Sequence, residues 1–242
     1  MVVMAEPPVI NNYLALLEQI HRHLLPRTYV EIGVHEGRSF SKVEAGTIAV
    51  GIDPILAKQR PVNRSAKVFA LTSDDFFVEH DLRSILNGYP VDLAFIDGMH
   101  LFEFALRDFM HLERFCSEES VILLHDCYPV NARAAGRKPV RGWWNGDVWK
   151  LIICLKEHRP DVQISVVDVP AGGLGILTNL DPASSLLAEH YEEICQRFRH
   201  LEYAVLDDRK EKKLNLVPSD WAGLEPLLPR QPYRRATAHP SA

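Results

Sequence analysis

The feature that most constrains the fold is a regular alternation between short apolar runs and stretches of helical periodicity. Five runs rich in β-branched and apolar residues each lead into glycine, proline or acidic residues, as strands that end in turns do. These runs lie at residues 28–34, 48–53, 67–72, 91–97 and 120–126. Strands that alternate with helices pair in parallel, because each helix returns the chain to the same end of the sheet. The pattern therefore predicts an α/β fold with a Rossmann-like, doubly wound sheet.

After the fifth run the pattern changes from crossover helices to a hairpin. Strands are predicted at residues 162–169 and 174–179, and the proline and two glycines between them favour an antiparallel pair. The complete sheet is therefore expected to have seven strands, mostly parallel, with an antiparallel last strand. Helices are expected to follow the first strand as far as residue 45 and to cover residues 182–201.

The chain is expected to divide into three segments. An N-terminal helix occupies residues 1–26, since helical spacing over residues 11–25 ends at a proline. One domain, residues 27–204, holds the whole sheet. Residues 205–242 contain the charged run DDRKEKK and several prolines, which predict an extended C-terminal tail.

Composition and charge narrow the class of protein. The 242 residues are 47% hydrophobic and carry a formal net charge of −5, which argues against a nucleic-acid-binding surface. The start of the chain lacks the features of a signal peptide, and every apolar run is far shorter than the ~20 residues of a membrane helix. The four cysteines show no CxxC spacing, which is typical of reduced thiols. We expect a cytoplasmic protein with a small-molecule partner and without nucleic-acid or membrane partners; assembly into a homo-oligomer stays open.

The loop after the first strand indicates which ligand the sheet would bind. It reads VEIGVHEGRSF, with Glu31, Gly33 and Gly37 in an E-x-G-x-x-x-G pattern. A dinucleotide site needs a middle glycine, and a valine and a histidine stand there instead, so an NAD-dependent oxidoreductase is the weaker alternative. Asp53 ends the second strand 20 residues after Gly33, the spacing at which an acid binds ribose hydroxyls. A site with acidic side chains and a glycine-containing loop suits a cationic nucleoside such as S-adenosyl-L-methionine (SAM).

Six motifs in order carry a resemblance to a known family. VEIGVHEG, GIDP, TSDDFF, FIDGMH, LLHDCYP and GDVWK resemble those of class I SAM-dependent methyltransferases, and in particular the macrocin-type sugar O-methyltransferases. The resemblance spans roughly residues 27–179 and implies SAM as cofactor. It implies that Glu31 and Gly33 contact the methionine part of SAM and that Asp53 contacts the ribose. The adenine would lie beside Ser73, Asp74 and Asp75. Gly37 and Asp97 complete the predicted cofactor-binding set.

Acidic residues also end the fourth and fifth strands, at Asp97 and Asp126. Neighbouring strands lie about 4.8 Å apart, so the two carboxylates can converge on one divalent cation such as Mg²⁺. The resemblance implies that these acids bind metal and that His100 is the general base. A metal lowers the pKa of a hydroxyl group, and a histidine can then remove the proton at neutral pH.

Plainer interpretations of the same residues stay open. Asp97 can be only a turn residue, and Asp126 can be only the polar residue that ends a strand. His100 can be a residue that only packs against its neighbours. Cys127 stands where related enzymes carry a further polar ligand, so the third protein ligand of the metal stays open. His125 is expected to point away from Asp126, because side chains alternate along a strand.

The long segment 127–146, rich in turn and aromatic residues, is expected to be a functional loop. Arg141, Trp143 and Trp144 are its substrate-binding candidates, since flat apolar rings can stack on a sugar or an aromatic ring. The sequence as a whole predicts a SAM-dependent O-methyltransferase that acts on a hydroxyl group, of a sugar or a glycosylated natural product. A non-catalytic SAM-fold partner module is a further alternative, which the joint presence of both acids and the histidine disfavours.

Overall fold

An eight-stranded sheet forms the centre of the structure, a computed structural model that describes residues 10–56, 65–206 and 208–229. In chain order, β1 to β8 span Thr28–Ile32, Ile48–Ile52, Ala66–Phe69, Leu93–Ile96, Val121–His125, Gln163–Val167, Leu174–Thr178 and Leu216–Val217. The spatial order is β3-β2-β1-β4-β5-β7-β6-β8. Strands β1 to β5 pair in parallel, and β7 is antiparallel to both of its neighbours.

This topology confirms the prediction of a doubly wound, mostly parallel sheet with one antiparallel strand. The chain winds outwards from β1 through β2 to β3, and then returns to place β4 on the other side of β1. The carboxyl ends of β1 and β4 therefore flank the point where the winding reverses, which is where open α/β sheets form a ligand-binding crevice. The strand count is eight rather than seven, because the short strand β8 adds in parallel to β6.

Helices cover both faces of the sheet. In chain order, α1 to α9 span Tyr13–Leu24, Ser73–Glu79, Leu82–Ile85, Phe102–Glu113, Trp149–His158, Leu186–Glu189, Tyr191–Arg199, Lys210–Lys213 and Trp221–Leu224. Helices α2, α4, α5 and α7 pack on one face, and α1 packs on the other. None of the helices within the described ranges is both long and apolar enough to span a bilayer.

The N-terminal helix α1 forms as the sequence predicts. Asn12 caps it by accepting a hydrogen bond from the backbone of Ala15. Its apolar face is buried against the sheet through Leu16, Leu17, Ile20 and Leu24. Burial of each such side chain contributes about 1.5–3 kcal/mol, which fixes the helix beside the carboxyl ends of the strands.

Two predicted helices are wrong in detail. After β1 the chain forms turns and a single 3₁₀ turn at Phe40–Lys42 rather than a helix to residue 45. Gly37 and Gly46 both have positive φ, which interrupts helical geometry on either side of that turn. The helix expected over residues 182–201 forms as two helices, α6 and α7, that meet at His190.

The expectation of an extended tail is also wrong for the part of the tail that the structure describes. Residues 208–229 form α8, β8 and α9 and pack on both faces of the sheet. Leu214, Leu224 and Leu228 are buried there, and their apolar surface outweighs the charged run that suggested an unpacked chain. Residues 1–9 and 230–242 of the predicted terminal segments lie outside the described residues.

Candidate active site

Two acids and two histidines meet at the carboxyl ends of β4 and β5. The Nε2 of His100 lies 3.2 Å from Oδ1 of Asp97, and its Nδ1 lies 3.1 Å from Oδ2 of Asp126. The Nδ1 of His125 lies 3.0 Å from Oδ1 of Asp97 and 3.3 Å from Oδ2 of Asp126. The structure thus brings together the three residues that the sequence singled out, and adds a fourth. We call these four residues the acid–histidine cluster.

The prediction that His125 points away from Asp126 is wrong, for a local backbone reason. Asp126 has a φ of 58°, in the left-handed region, so the chain leaves strand geometry directly after His125. Side-chain alternation holds only along a regular strand, and here the turn brings both side chains to the same place.

His100 is held in the same unusual backbone conformation, with a φ of 56°. A non-glycine residue in this region costs about 1–3 kcal/mol and persists only where its surroundings impose it. The backbone N–H of Asp147 donates a 3.1 Å hydrogen bond to the carbonyl of His100. Gly146 lies so close that a Cβ there would stand 1.7 Å from that same oxygen. The loop after β5 therefore presses His100 into position.

The loop itself is anchored by buried polar contacts. Arg137 pairs with Glu103 and with Asp147, and Asp147 accepts a hydrogen bond from the first backbone N–H of α4, at Phe102. Asn145 donates a short hydrogen bond to Oδ1 of Asp126, which leaves Oδ2 to face the two histidines. Sequence patterns contained no signal for Asn145, because its partner is 19 residues away.

The acids and the histidines of the cluster shift one another's pKa values. Burial by itself lowers the pKa of His125, but the carboxylates of Asp97 and Asp126 raise it to about 10. Burial also opposes protonation of His100, and the same two carboxylates still raise its pKa above the usual range. Burial works against the charged form of Asp97, yet the two histidines hold its pKa well below the usual range. The cluster therefore stabilises a positive charge between the two acids.

Two cavities border this cluster. The larger, about 590 Å³, extends over the ends of β1, β2 and β4 and is lined by Gly33, Asp53, Ser73, Asp74 and Asp97 among others. The second, about 480 Å³, lies beneath α1 and the loop after β5. Both volumes fall in the range of small-molecule sites. His125 and Asp126 border both cavities, so molecules bound in the two would meet at the acid–histidine cluster.

Comparison with known proteins identifies the enzyme class. Residues 30–127 match a family described as a methyltransferase domain. The match runs from β1 to Cys127 and so contains the larger cavity and the whole acid–histidine cluster. No curated protein matches the sequence.

Solved structures share the fold of this methyltransferase at low sequence identity. Cofactor-bound Rv0187 from MTB has 14% identity over 73% of this chain and 84% of its own, with a TM-score of 0.52. The O-methyltransferase TomG from Streptomyces achromogenes, involved in tomaymycin synthesis and solved with SAM, has 16% identity over 69% and 78%, with a TM-score of 0.53. SAH-bound methyltransferase PaMTH1 from Podospora anserina has 14% identity over 70% and 78%, with a TM-score of 0.50.

These findings confirm the prediction of a SAM-dependent methyltransferase. The family match favours methyl transfer over the alternative of an NAD-dependent oxidoreductase. The macrocin-type subgroup, the metal and the individual site residues stay predictions.

The floor of the larger cavity requires a glycine. Gly33 has a φ of 93°, and a Cβ there would stand 2.0 Å from the carbonyl oxygen of Asp97. The first loop of the methyltransferase and the end of β4 therefore touch backbone to backbone at the point where the sheet reverses. The predicted placement of Gly33 and Asp97 beside a bound cofactor agrees with this geometry.

Three predicted cofactor residues do not line that cavity. Glu31 is fully buried and accepts hydrogen bonds from Tyr29 Oη and Ser39 Oγ, and burial raises its pKa to about 8. Its carboxyl group holds the first loop rather than facing a ligand. Gly37 provides a positive-φ turn, and Asp75 is exposed and hydrogen-bonds Thr72, the cap of α2.

Asp53 is the best placed cofactor ligand in the larger cavity. Its Oδ2 accepts a 2.7 Å hydrogen bond from the backbone of His35, and its Oδ1 accepts a 2.7 Å bond from Ile55. Each oxygen keeps a second lone pair, so the carboxylate can still accept bonds from two ribose hydroxyls.

Replacement of Asp53 by alanine is therefore expected to weaken SAM binding. Hydrogen bonds to a charged group contribute about 1.5–3 kcal/mol, which corresponds to a loss of about 10- to 150-fold in affinity. Asp75→Ala is the matched control, since Asp75 lies outside the cavity, and it should bind SAM as the wild type does. Titration calorimetry on both folded variants measures the difference; equal affinities for Asp53→Ala and wild type would contradict the assignment.

Asp108 also lines the larger cavity. It is buried on α4 and accepts a hydrogen bond from Ser73 Oγ. Burial raises its pKa to about 7; the bond from Ser73 and the nearby Arg107 oppose this shift, and Asp74 adds to it.

This raised pKa predicts that stability falls as the pH rises. An unfolded aspartate titrates near pH 4, so between pH 4 and about 7 the folded state binds a proton that the unfolded state has lost. Asp108→Asn should remove this part of the decline and stabilise the protein at pH 8 by about 4 kcal/mol, since one pKa unit corresponds to about 1.4 kcal/mol, with little effect at pH 4. Urea denaturation at pH 5 and pH 8 tests this. A variant that loses stability equally at both pH values would contradict the buried neutral carboxyl group.

The second cavity is lined by aromatic rings from two separate segments. Tyr13, from α1, packs its ring 4.0 Å from that of His125, and Trp144 stacks on His100 with a centroid separation of 5.4 Å. Trp143 also lines this cavity and its side chain is 68% exposed. Arg141 is exposed and lines neither cavity, so the structure does not support its predicted contact with substrate.

Proposed function

We propose that this methyltransferase transfers the methyl group of SAM to a hydroxyl group of a small molecule. The observation that carries the proposal is the meeting of two cavities at the acid–histidine cluster, through His125 and Asp126. The larger cavity provides the ribose acceptor Asp53, and the second provides aromatic walls. TomG, which shares the fold, is an O-methyltransferase solved with SAM, and this supports the same reaction here.

The reaction requires removal of one proton. The acceptor oxygen forms a bond to the methyl carbon while the bond between that carbon and the sulfonium sulfur breaks, leaving S-adenosylhomocysteine (SAH). The hydroxyl proton passes to an imidazole nitrogen of His100. The carboxylates of Asp97 and Asp126 lie within 3.2 Å of that ring and stabilise the imidazolium that forms. Alignment of the two substrates supplies much of the remaining rate.

His125 is the second candidate for the base, because it borders both cavities. Two observations favour His100. The side chain of His100 is 24% exposed and that of His125 only 8%, so a substrate reaches His100 more easily. A pKa of about 10 also keeps His125 protonated at neutral pH, when it acts as a hydrogen-bond donor to the two acids.

The cluster also fits a divalent cation. Ligand atoms of Asp97, His100 and Asp126 lie within 4.8 Å of one another, and His100 Nδ1 is buried beside Oδ2 of Asp126 without the geometry of a hydrogen bond to it. Asp97 and Asp126 would hold the ion, since carboxylates are the ligands that Mg²⁺ prefers. A bound ion would lower the pKa of the acceptor hydroxyl group. Cys127 is not a ligand, because its buried thiol is directed to the carbonyl of Leu124.

The acceptor class that these walls suit is a sugar or a glycosylated natural product. Tyr13, Trp143 and Trp144 offer flat faces on which a sugar ring can stack, and the cluster provides groups that bind hydroxyls. A cytoplasmic location is a further part of the proposal, and assembly into a homo-oligomer stays open.

Transfer of label from methyl-tritiated SAM tests the proposed function directly. A panel of free sugars, glycosides and phenols should contain an acceptor that gains label while SAH forms in equal amount. If SAM binds but no member of the panel gains label, the protein would be the non-catalytic SAM-fold module instead.

A further inference from the structure

A third cavity, of about 200 Å³, adjoins the second cavity and shares no lining residue with the larger cavity. It is lined by Tyr128, Val130, Trp143, Asn145 and Val169, together with the turn at residues 170–173. The second and third cavities share Trp143 and the first two residues of that turn. We call the second cavity the inner subsite and the third cavity the outer subsite.

The outer subsite lies one side chain away from the acid–histidine cluster. Its floor includes Gly172, where a Cβ would stand 2.0 Å from Oδ1 of Asp126 and 2.4 Å from Nδ2 of Asn145. The carbonyl of Gly172 accepts a 2.6 Å hydrogen bond from the backbone of Tyr128, which ties the floor to the wall. A ligand in the outer subsite would therefore be continuous with an acceptor at the cluster.

The walls of the outer subsite have the character of a small-molecule site. Tyr128, Trp143 and Val169 present apolar surface, and Val130 is 64% exposed although it is a large aliphatic residue. Asn145 adds one polar group, since its Oδ1 is buried and has no hydrogen-bond partner among the described residues. Apolar walls with a few fixed polar groups are typical of sites that bind and orient ligands.

We infer that the acceptor has two parts, a hydroxyl-bearing ring in the inner subsite and a flat apolar extension in the outer subsite. This inference rests on the proposed function, because it treats the inner subsite as the acceptor site. Trp143 stands between the two subsites and contacts both parts. The exposed carboxylate of Asp168 at the margin of the outer subsite disfavours an anionic extension. Because the walls of the outer subsite are mainly apolar, the extension is a neutral aromatic or aliphatic group.

A pair of phenols that differ only in length tests the inference by binding alone. Phenol is small enough to lie within the inner subsite, and 4-phenylphenol adds a second ring that reaches the outer subsite. In calorimetry with SAH present, 4-phenylphenol should bind at least about tenfold more tightly than phenol, because the second ring buries apolar surface. Equal affinities would overturn the inference.

Three variants test whether the outer subsite provides the additional affinity of 4-phenylphenol. Val130→Asp places a charge in the outer subsite and should abolish the advantage of 4-phenylphenol while leaving phenol and SAM affinities unchanged. Val78→Asp is the matched control, since Val78 is 86% exposed on α2 and lines none of the three cavities. Trp143→Ala should weaken binding of both phenols. An advantage that survives Val130→Asp, or that Val78→Asp abolishes equally, would overturn the inference.

These measurements separate the inference from the proposed function. Binding of the two phenols does not require methyl transfer, so the pattern of affinities stands or falls independently of turnover. If the pattern holds while no acceptor gains label from SAM, the proposed function fails and the two-part ligand site remains.

Discussion

Replacement of His100 by asparagine is expected to lower turnover by about 10²–10⁴-fold, the usual contribution of a positioned general base. Asparagine is the suitable replacement because the backbone at this position has a φ of 56°, which asparagine tolerates better than alanine. An amide cannot take up the proton of the acceptor, so catalysis is lost while the fold is kept. SAM affinity should stay near that of the wild type, since Asp53 and the remaining cavity walls are unchanged.

The turnover rates of the histidine variants are compared with the same acceptor substrate. His190→Asn is the matched control, because His190 is exposed between α6 and α7, far along the chain from the cluster. His125→Asn separates the two candidate bases. A large loss of turnover in His125→Asn with near wild-type turnover in His100→Asn would assign the base to His125 and contradict the assignment to His100. Single-turnover rates and SAM calorimetry are the measurements.

Removal of divalent metal is expected to lower turnover by about 100-fold or more and to leave SAM binding nearly unchanged. Lewis-acid stabilisation by a bound ion contributes several kcal/mol, and about 1.4 kcal/mol corresponds to tenfold in rate. The ion would act on the acceptor between Asp97 and Asp126, whereas SAM binds through the larger cavity. Dialysis against EDTA followed by addition of Mg²⁺ or Mn²⁺ should restore the rate.

Asp126→Asn should reproduce the effect of chelation. The asparagine retains an oxygen that can accept the hydrogen bond from Asn145, so the loop stays in place while one charged ligand is lost. Asp208→Asn, at an exposed acid, is the matched control. Binding of Mn²⁺ measured by electron paramagnetic resonance gives a readout without turnover. Full activity in excess EDTA, with no Mn²⁺ bound, would contradict the metal site and leave His100 as the principal catalyst.

The architecture could be predicted from local sequence patterns, because the hydrophobic pattern of each segment indicates whether it forms a strand or a helix. The run at residues 120–126 contains four consecutive apolar residues, 121–124, which favours a strand buried on both faces, and it forms β5 in the centre of the sheet. The order of strands and helices then limits the topology to a doubly wound sheet. The acids Asp97 and Asp126 could be paired in advance for the same reason, since their strands had to be neighbours.

Other features depended on contacts between distant segments. His125 joins the acid–histidine cluster because the backbone turns at Asp126, and Asn145 reaches Asp126 from a loop whose course no periodicity describes. Glu31 looked like a cofactor ligand, but hydrogen bonds from Tyr29 and Ser39 keep its carboxyl group in the core. Tyr13 enters the second cavity only because α1 packs across the sheet.

The sequence by itself therefore determined the sheet, its reversal point and the two acids beside it. Hydrophobic periodicity and the residues at strand ends are properties of single segments of the chain. They are sufficient to predict the sheet, its reversal point and the two acids. The tertiary structure decided which groups face one another: the left-handed residues His100 and Asp126, the aromatic walls of the second cavity, and the outer subsite behind Trp143. Such contacts join residues that lie far apart in the chain, and packing energies rather than local propensities select them.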